Sequence, residues 1–230
     1  MVRNIVGVSP LVLALIVLGQ NRSLKENLDL PYDARAELRS EEDAPEVVQF
    51  YAHQYEGLVF FFVLDDSSSM LASDGGISRL EKLKSEVRKA LSGLSPRSRF
   101  TLTAFSKTVK HWRRKPTEAT PEAKSSAEAW VASLKGDQSV TDALAAFREV
   151  LPLTKEVKKQ PTILFVSDGL PNRPVENAPE VTLREVAERN ARHATIHTVW
   201  VGAREEKAIQ FMKALAQENG GQCSIVCAGE

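Results

Sequence analysis

The chain has 230 residues, a length that suits one domain with extensions. Its 30 basic and 30 acidic side chains cancel, so bulk charge gives no support for nucleic-acid binding, and we expect no nucleic-acid partner. Hydrophobic residues make up 43% of the chain, enough to bury a core and to exclude a largely disordered protein.

The first predicted element is an uncharged apolar run, Ile5–Gly19, preceded by Arg3. It is shorter than the roughly 20 apolar residues that comfortably span a bilayer, and with Arg3 it is typical of a signal sequence. No A-x-A cleavage motif follows, so an uncleaved single-pass anchor stays open, as does a buried helix. Arg22 and Lys25 lie soon after the run, so the flanking positive charges predict no orientation. We predict a signal sequence or membrane anchor over residues 1–19, and an exported, periplasmic, extracellular or membrane-anchored protein.

Residues 20–45 are polar and highly charged, which is typical of a linker. From residue 46 the composition changes, and we predict one domain over residues 46–230. A short strand is expected within Val47–Tyr55. The apolar run Leu58–Leu64 then predicts a strand that is buried on both faces, as in a parallel sheet.

Helical and strand patterns alternate along the rest of the chain. Thr120 is a predicted N-cap before Pro121, and Thr182 with Glu185 forms a predicted capping box. Helices are predicted over residues 79–94, 120–134, 141–151, 182–193 and 205–221, and strands over 99–106, 108–114, 162–169, 195–202 and 222–228. At least four strand–helix alternations predict a doubly wound α/β fold: a mostly parallel sheet, helices on both faces, and residues 108–114 as an antiparallel edge strand.

Oxygen-bearing side chains cluster where this topology predicts a ligand site. Ligands bind outside the carboxyl ends of the strands in open sheets of this kind. Asp65, Ser67 and Ser69 follow the first apolar strand, Thr141 lies at a loop-to-helix junction, and Asp168 ends a later apolar strand. Each piece alone is an ordinary turn or helix cap. Together they predict an all-oxygen metal site for Mg²⁺, with Mn²⁺ or Ca²⁺ as substitutes.

Three motifs resemble the von Willebrand factor type A domain and its metal-ion-dependent adhesion site. They are "FFFVLDDSSSM" at 60–70, "SVTDALAAF" at 139–147 and "TILFVSDGLPN" at 162–172. The likeness covers about residues 58–228, and the N-terminal apolar run resembles bacterial exported members. The resemblance implies a doubly wound α/β fold and a magnesium ion held by Asp65, Ser67, Ser69, Thr141 and Asp168. It also implies a protein partner that offers an Asp or Glu side chain to the metal.

The motifs depart from the family pattern at three points. Ser68 stands where glycine is usual, Asp66 where an apolar or small residue is common, and Ser139–Val140 where a glycine pair precedes the threonine. None of these removes a predicted ligand. Asp66 adds negative charge, which favours a cation and opposes an acidic partner.

Two other functions stay open at the sequence level. One is a Mg²⁺-dependent phosphoryl-transfer or hydrolytic enzyme with Asp65 as nucleophile, although P-loop and G-x-S-x-G patterns are absent from the sequence. The other is a structural domain with a residual metal site. We expect a binding protein and no enzyme, with a membrane contact through the N-terminal run if that run is not cleaved.

Three further groups of side chains carry weaker expectations. His193 and His197 are expected to be packed or solvated rather than metal ligands. The basic run 111–115 is expected to be a solvated edge strand. Cys223 and Cys227 are expected to be small buried hydrophobic residues, because a straight strand would hold them about 13 Å apart; a disulfide between them stays open if the tail turns.

Overall fold

The computed structural model describes residues 44–73, 76–173, 176–191 and 193–227, all within a compact unit that spans residues 42–230. A central sheet has the strand order β5-β4-β3-β7-β8-β9, and β6 also pairs with β4. The strands are β1 Glu46–Phe50, β2 His53–Gly57, β3 Val59–Asp65, β4 Arg99–Phe105, β5 Val109–His111, β6 Thr117–Glu118, β7 Pro161–Ser167, β8 Thr195–Gly202 and β9 Cys223–Cys227.

Five α-helices and one short 3-10 helix, Ser68–Leu71, connect the strands in the described part of the chain. The α-helices are α1 Arg79–Gly93, α2 Pro121–Ala132, α3 Ala143–Thr154, α4 Ala178–Asn190 and α5 Glu206–Glu218. Strands β4, β3, β7, β8 and β9 run parallel, whereas β5 and β6 pair antiparallel with β4. The predicted α/β fold with an antiparallel edge is therefore confirmed.

Two hydrophobic clusters lie on opposite faces of the sheet, as the alternation of strand side chains requires. Phe60, Phe62 and Leu64 of β3 pack with α1, α2 and the β1–β2 hairpin on one face. Val59, Phe61 and Val63 pack with α3, α4 and α5 on the other. All seven β3 residues are buried, which is why this strand is a continuous apolar run in the sequence.

The structure corrects the predicted single strand within Val47–Tyr55. This segment belongs to an antiparallel hairpin of β1 and β2, in which Phe50 pairs with His53 across a two-residue turn. Both turn residues, Tyr51 and Ala52, have positive φ angles. Such turns usually contain glycine or asparagine, so the sequence carried no signal for this one.

Two helix starts also differ from the prediction. The predicted capping box is wrong: Thr182 lies inside α4 and donates a hydrogen bond to the Ala178 carbonyl, 2.7 Å away, and Asn177 is the N-cap. Helix α3 begins at Ala143 with Asp142 as its N-cap, and it continues past the predicted end at residue 151 to Thr154. Thr120 caps α2 as predicted, because its side chain accepts a hydrogen bond from the Ala123 amide.

The predicted signal or anchor, residues 1–19, and nearly all of the predicted linker lie outside the described residues, so these assignments stay predictions. Over the residues that are described, no helix is both long and apolar enough to span a bilayer. Cys223 is a free cysteine at the start of β9.

Candidate metal centre

The predicted ligands lie where the order of the parallel strands reverses. After β3 the chain passes to β4 on one side and later to β7 on the other, so the carboxyl ends of β3 and β7 border a topological switch point. Asp65 is the last residue of β3, and Asp168 directly follows β7. Counting backbone and side chain together, the two residues are 0% and 6% exposed, respectively.

Asp65 is a buried carboxylate whose two oxygens both accept hydrogen bonds. Oδ1 accepts from the Ser67 amide at 2.8 Å, and Oδ2 accepts from the Ser167 hydroxyl at 2.6 Å. Burial raises the pKa of Asp65 to about 7, and the negative charge of Asp168 adds to the rise, whereas these hydrogen bonds oppose it. An ionised Asp65 is therefore poorly compensated by the protein alone, which suits a carboxylate that binds a cation.

A chain of hydrogen bonds joins the loop after β3 to the loop after β7. The hydroxyls of Ser67 and Ser69 lie 3.0 Å apart, and Ser69 Oγ donates to Asp168 Oδ1 at 2.6 Å. The second oxygen of Asp168 accepts from Arg79 Nη1 at 2.7 Å. Ser69 is exposed, so solvent and other molecules reach the cluster from this side.

Thr141 borders the same cluster through the loop after β7. Its amide donates to Asn172 Oδ1 at 3.0 Å, and the Asn172 amide donates back to the Thr141 carbonyl at 3.1 Å. A Cβ placed on Gly169 would lie 3.9 Å from Thr141 Oγ1, so the hydroxyl is adjacent to the residue after Asp168. Because Asp142 caps α3 by accepting from the Ala145 amide, the Thr141 hydroxyl is not used as the cap.

Asp66 has a structural role that the sequence did not indicate. It is 2% exposed, and its Oδ1 accepts from the Gly136 amide at 2.8 Å. Lys110 Nζ lies 3.7 Å from its other oxygen. Asp66 therefore ties the loop after β3 to the loop before Thr141, and Lys110 partly offsets the charge of Asp66.

Three further residues shape the site and were absent from the prediction: Ser167, Arg79 and Asn172. Ser167 and Asn172 flank Asp168 within "VSDGLPN", so proximity in the sequence was a usable signal. Arg79 is 89 residues from Asp168, and only the fold brings the two together.

The donor set fits a hard divalent cation. Asp65, Ser67, Ser69, Thr141 and Asp168 provide two carboxylates and three hydroxyls, with no sulfur or nitrogen donor among them. In the described ranges, no group of three or more His, Cys, Asp and Glu side chains is placed to hold a metal ion, so a metal here depends on the hydroxyls.

The histidines and the basic run lie apart from these contacts. His193 Nε2 bonds with the Thr154 carbonyl, and His197 Nδ1 accepts from the Gln222 amide. In the basic run, Trp112 stacks on Phe100 with ring centroids 5.2 Å apart, and the Arg113 guanidinium lies 4.5 Å from the Trp112 ring centroid. These contacts agree with packed histidines. The predicted edge strand over 108–114 is shorter in the structure: β5 ends at His111, so most of the basic run follows the strand, and Trp112 is packed rather than fully solvated.

Sequence comparison identifies a domain family over the central part of the chain. Residues 60–170 match the family model described as von Willebrand factor type A domain. Inter-alpha-trypsin inhibitor heavy chain H4 from Homo sapiens is 25% identical over 167 residues. That match covers 70% of this chain but only 17% of the human protein, so the chain spans a small part of this relative.

Solved structures with low sequence identity share the fold. The von Willebrand factor type A protein from Catenulispora acidiphila matches with a TM-score of 0.64 and 14% identity, covering 75% of this chain and 40% of that one. An aerotolerance-related membrane protein from Bacteroides fragilis gives a TM-score of 0.60 at 19% identity, over 74% and 92% of the chains. The vWF domain of the type V pili tip protein Mfa5 from Porphyromonas gingivalis gives a TM-score of 0.58 at 12% identity, over 74% of this chain and 89% of that one.

Proposed function

From the premise that this chain carries a von Willebrand factor type A domain, we propose that it binds a protein partner in a Mg²⁺-dependent manner and is not an enzyme. The ligands we propose for the ion are Asp65, Ser67, Ser69, Thr141 and Asp168, with Mn²⁺ or Ca²⁺ as substitutes. The observation that carries this proposal is the hydrogen-bonded cluster Ser67–Ser69–Asp168, which joins two loops distant in sequence at the switch point.

The chemistry of the donors supports recognition of a carboxylate. Three of the five proposed ligands are neutral hydroxyls, so the protein supplies no more than two negative charges to a divalent ion. A bound Mg²⁺ would act as a Lewis acid with room for an oxygen ligand from outside the chain. The exposed Ser69 side of the cluster is where an Asp or Glu side chain of a partner would approach.

The surface next to Ser69 also suits a protein contact. Leu71 and Ile77 are 50% and 64% exposed, and both lie between Ser69 and Arg79 in the sequence. Exposed apolar side chains beside a polar site are typical of protein-binding surfaces.

The contacts of Asp65 do not favour the enzymatic alternative. A nucleophilic carboxylate must reach its substrate, but Asp65 is 0% exposed and both of its oxygens accept hydrogen bonds. Ser67 and Ser69 bond with each other and with Asp168, and these contacts involve no histidine that would act as a base.

We propose an exported or membrane-tethered location for this domain. The apolar run over residues 5–19 is the sequence feature behind the proposal. The proteins with a similar fold include one named as a membrane protein and one named as a pilus tip protein, which agrees with a role at the cell surface.

Calorimetric titration of the detergent-purified full chain with MgCl₂ tests the metal site. We expect one site, lost in Asp65→Ala and weakened in Thr141→Ala. Thr120→Ala is the matched control, because Thr120 caps α2 whereas Asp142 caps α3. Thr120→Ala should lower the free energy of unfolding by about 1 kcal/mol and keep metal binding. Thr141→Ala should weaken metal binding and leave the free energy of unfolding nearly unchanged. Unchanged Mg²⁺ binding in Asp65→Ala would refute the ligand assignment.

A pull-down from envelope extract tests partner binding. The wild-type chain should retain a partner in Mg²⁺ and release it in EDTA, and Thr141→Ala should retain less than Thr120→Ala does. A partner that is equally retained in EDTA would show that the metal does not bridge the two proteins, and would direct attention to the edge strand around residues 111–115.

A further inference from the structure

Arg79 makes a direct ionic contact with a proposed metal ligand. Its Nη1 donates to Asp168 Oδ2 at 2.7 Å, and the two side chains are only 15% and 0% exposed. Asp168 Oδ1 accepts from Ser69 at the same time. Both oxygens of Asp168 are therefore engaged, and one of the donors is a cation.

Arg79 is held in this position by the fold. It is the first residue of α1, where the helix dipole disfavours positive charge. The ionic contact with Asp168 offsets this unfavourable interaction with the dipole. A Cβ on Gly202, at the end of β8, would lie 2.6 Å from both Cζ and Nε of Arg79. Only the absence of a side chain at Gly202 leaves room for the guanidinium beside the loops that follow β3 and β7.

We propose that Arg79 is a built-in counter-ion of the site, which holds Asp168 in the metal-free protein and competes with a divalent cation for it. This inference rests on the proposed function, because the competitor is the proposed metal. A cation that contacts Asp168 would lie within several ångströms of the guanidinium, where like charges repel strongly. The Arg79 guanidinium therefore opposes the entry of a metal ion at Asp168.

The same contact sets the charge of the loaded site. Asp65 and Asp168 carry two negative charges, and Arg79 offsets one of them. Among these groups a divalent ion then leaves one net positive charge, whereas the ion and the two carboxylates without Arg79 would be neutral together. Arg79 thus lowers the affinity for the metal and raises the attraction of the loaded site for an anionic group.

Titration of the full chain with MgCl₂ alone, without any partner, tests the competition. Arg79→Gln removes the charge, Arg79→Lys keeps it, and Lys82→Gln removes an exposed charge from the same helix as a control. We expect Arg79→Gln to bind Mg²⁺ about tenfold more tightly or better, since two neighbouring cations no longer repel. Arg79→Lys and Lys82→Gln should stay close to wild type.

The direction of the change in Mg²⁺ affinity between wild type and Arg79→Gln separates competition from a structural role. If Arg79 only positioned Asp168, Arg79→Gln would bind the metal more weakly, and that result, or equal affinity, would overturn the proposal while leaving the proposed function intact. If neither wild type nor Arg79→Gln binds metal, both proposals fail. Thermal unfolding in EDTA provides a second readout, because Arg79→Gln should have a lower Tm than Arg79→Lys if Arg79 holds Asp168 in the metal-free protein.

Discussion

At the scale of single residues, Asp65 couples the charge of the site to the stability of the domain. Burial of its carboxyl and the negative charge of Asp168 raise its pKa by more than the hydrogen bonds from Ser167 and Ser67 lower it. The folded protein therefore binds the Asp65 proton more tightly than the unfolded chain does. Stability contributed by this group is complete below the unfolded pKa and declines as the pH rises through the folded value of about 7.

As the pH of the metal-free protein rises from about 4 to 7, we therefore expect the free energy of unfolding of wild type to fall relative to that of Asp65→Asn. Across that window Asp65 is ionised in the unfolded chain and still protonated in the fold. The slope of the free energy of unfolding against pH is therefore more negative for wild type than for Asp65→Asn. Over the whole window the contribution of Asp65 to the free energy of unfolding changes by about 4 kcal/mol, because the rise in its pKa is about three units. Urea unfolding in EDTA at several pH values, compared between wild type and Asp65→Asn, measures the difference.

Asparagine is a suitable replacement because it keeps an oxygen for the Ser67 amide and offers an N–H to Ser167. Other carboxylates and histidines titrate in both proteins, so their contributions cancel in the comparison. Parallel pH profiles for the two proteins would mean that Asp65 ionises normally in the fold, and would contradict the prediction.

At the scale of secondary-structure elements, the β1–β2 hairpin shows what sequence pattern does not reveal. Alternating burial along β1 and β2 is a strand signal, but the turn between them has neither glycine nor asparagine. Tyr51 compensates for its positive φ by packing into the core, and its amide donates to Glu86 Oε2 of α1 at 3.0 Å. Ala52 is exposed and has no such packing.

We expect Ala52→Gly to stabilise the domain by about 0.5–1 kcal/mol. The φ of Ala52 is 60°, which costs an alanine about 1–2 kcal/mol and a glycine little, and this gain exceeds the extra flexibility of glycine in the unfolded chain. Ala129→Gly is the control, because Ala129 is exposed within α2. There the same substitution should lower the free energy of unfolding by about 1 kcal/mol. Denaturant unfolding measures the change in the free energy of unfolding for both variants. A destabilised Ala52→Gly would contradict the expectation.

Helix starts were predictable where only one residue was suited to cap. Thr120 before Pro121 had no competitor, and it caps α2. Thr141 and Asp142 are adjacent and both suited, and the carboxylate is the one that accepts from Ala145. At α4 the helix begins four residues before Thr182, so that hydroxyl bonds back to the preceding turn. Local composition alone does not distinguish these cases.

At the scale of the whole molecule, the arrangement of the site follows from strand order. The sequence predicted that Asp65 and Asp168 meet, because parallel strands bring their carboxyl ends to one edge. It did not predict Arg79, since the salt bridge depends on where the first turn of α1 lies and on the space left by Gly202. The approach of the two loops was predictable from the sequence, whereas the guanidinium beside Asp168 required the fold.

The chain enters the described domain at the edge opposite this centre. Glu46, the first residue of β1, accepts hydrogen bonds from Ser95 and Ser98, which precede β4. These residues lie at the amino ends of the parallel strands, whereas Asp65 and Asp168 lie at their carboxyl ends.

The export prediction concerns the apolar run that precedes this point of entry. A reporter that is active only outside the cytoplasm, fused after Ser40, should give signal with the native sequence. Leu13→Lys should abolish it, because a charge in the middle of the run costs about 2.5–3.5 kcal/mol on insertion.

Leu30→Lys adds the same charge outside the run, within the predicted linker, and should leave the reporter active. Signal that survives Leu13→Lys, or no signal from the native fusion, would contradict export through this segment. Mass measurement of the exported fusion then distinguishes the two forms of the proposal. A loss of mass corresponding to cleavage near Gly19 indicates a signal sequence and a released domain, and an intact N-terminus indicates an anchor.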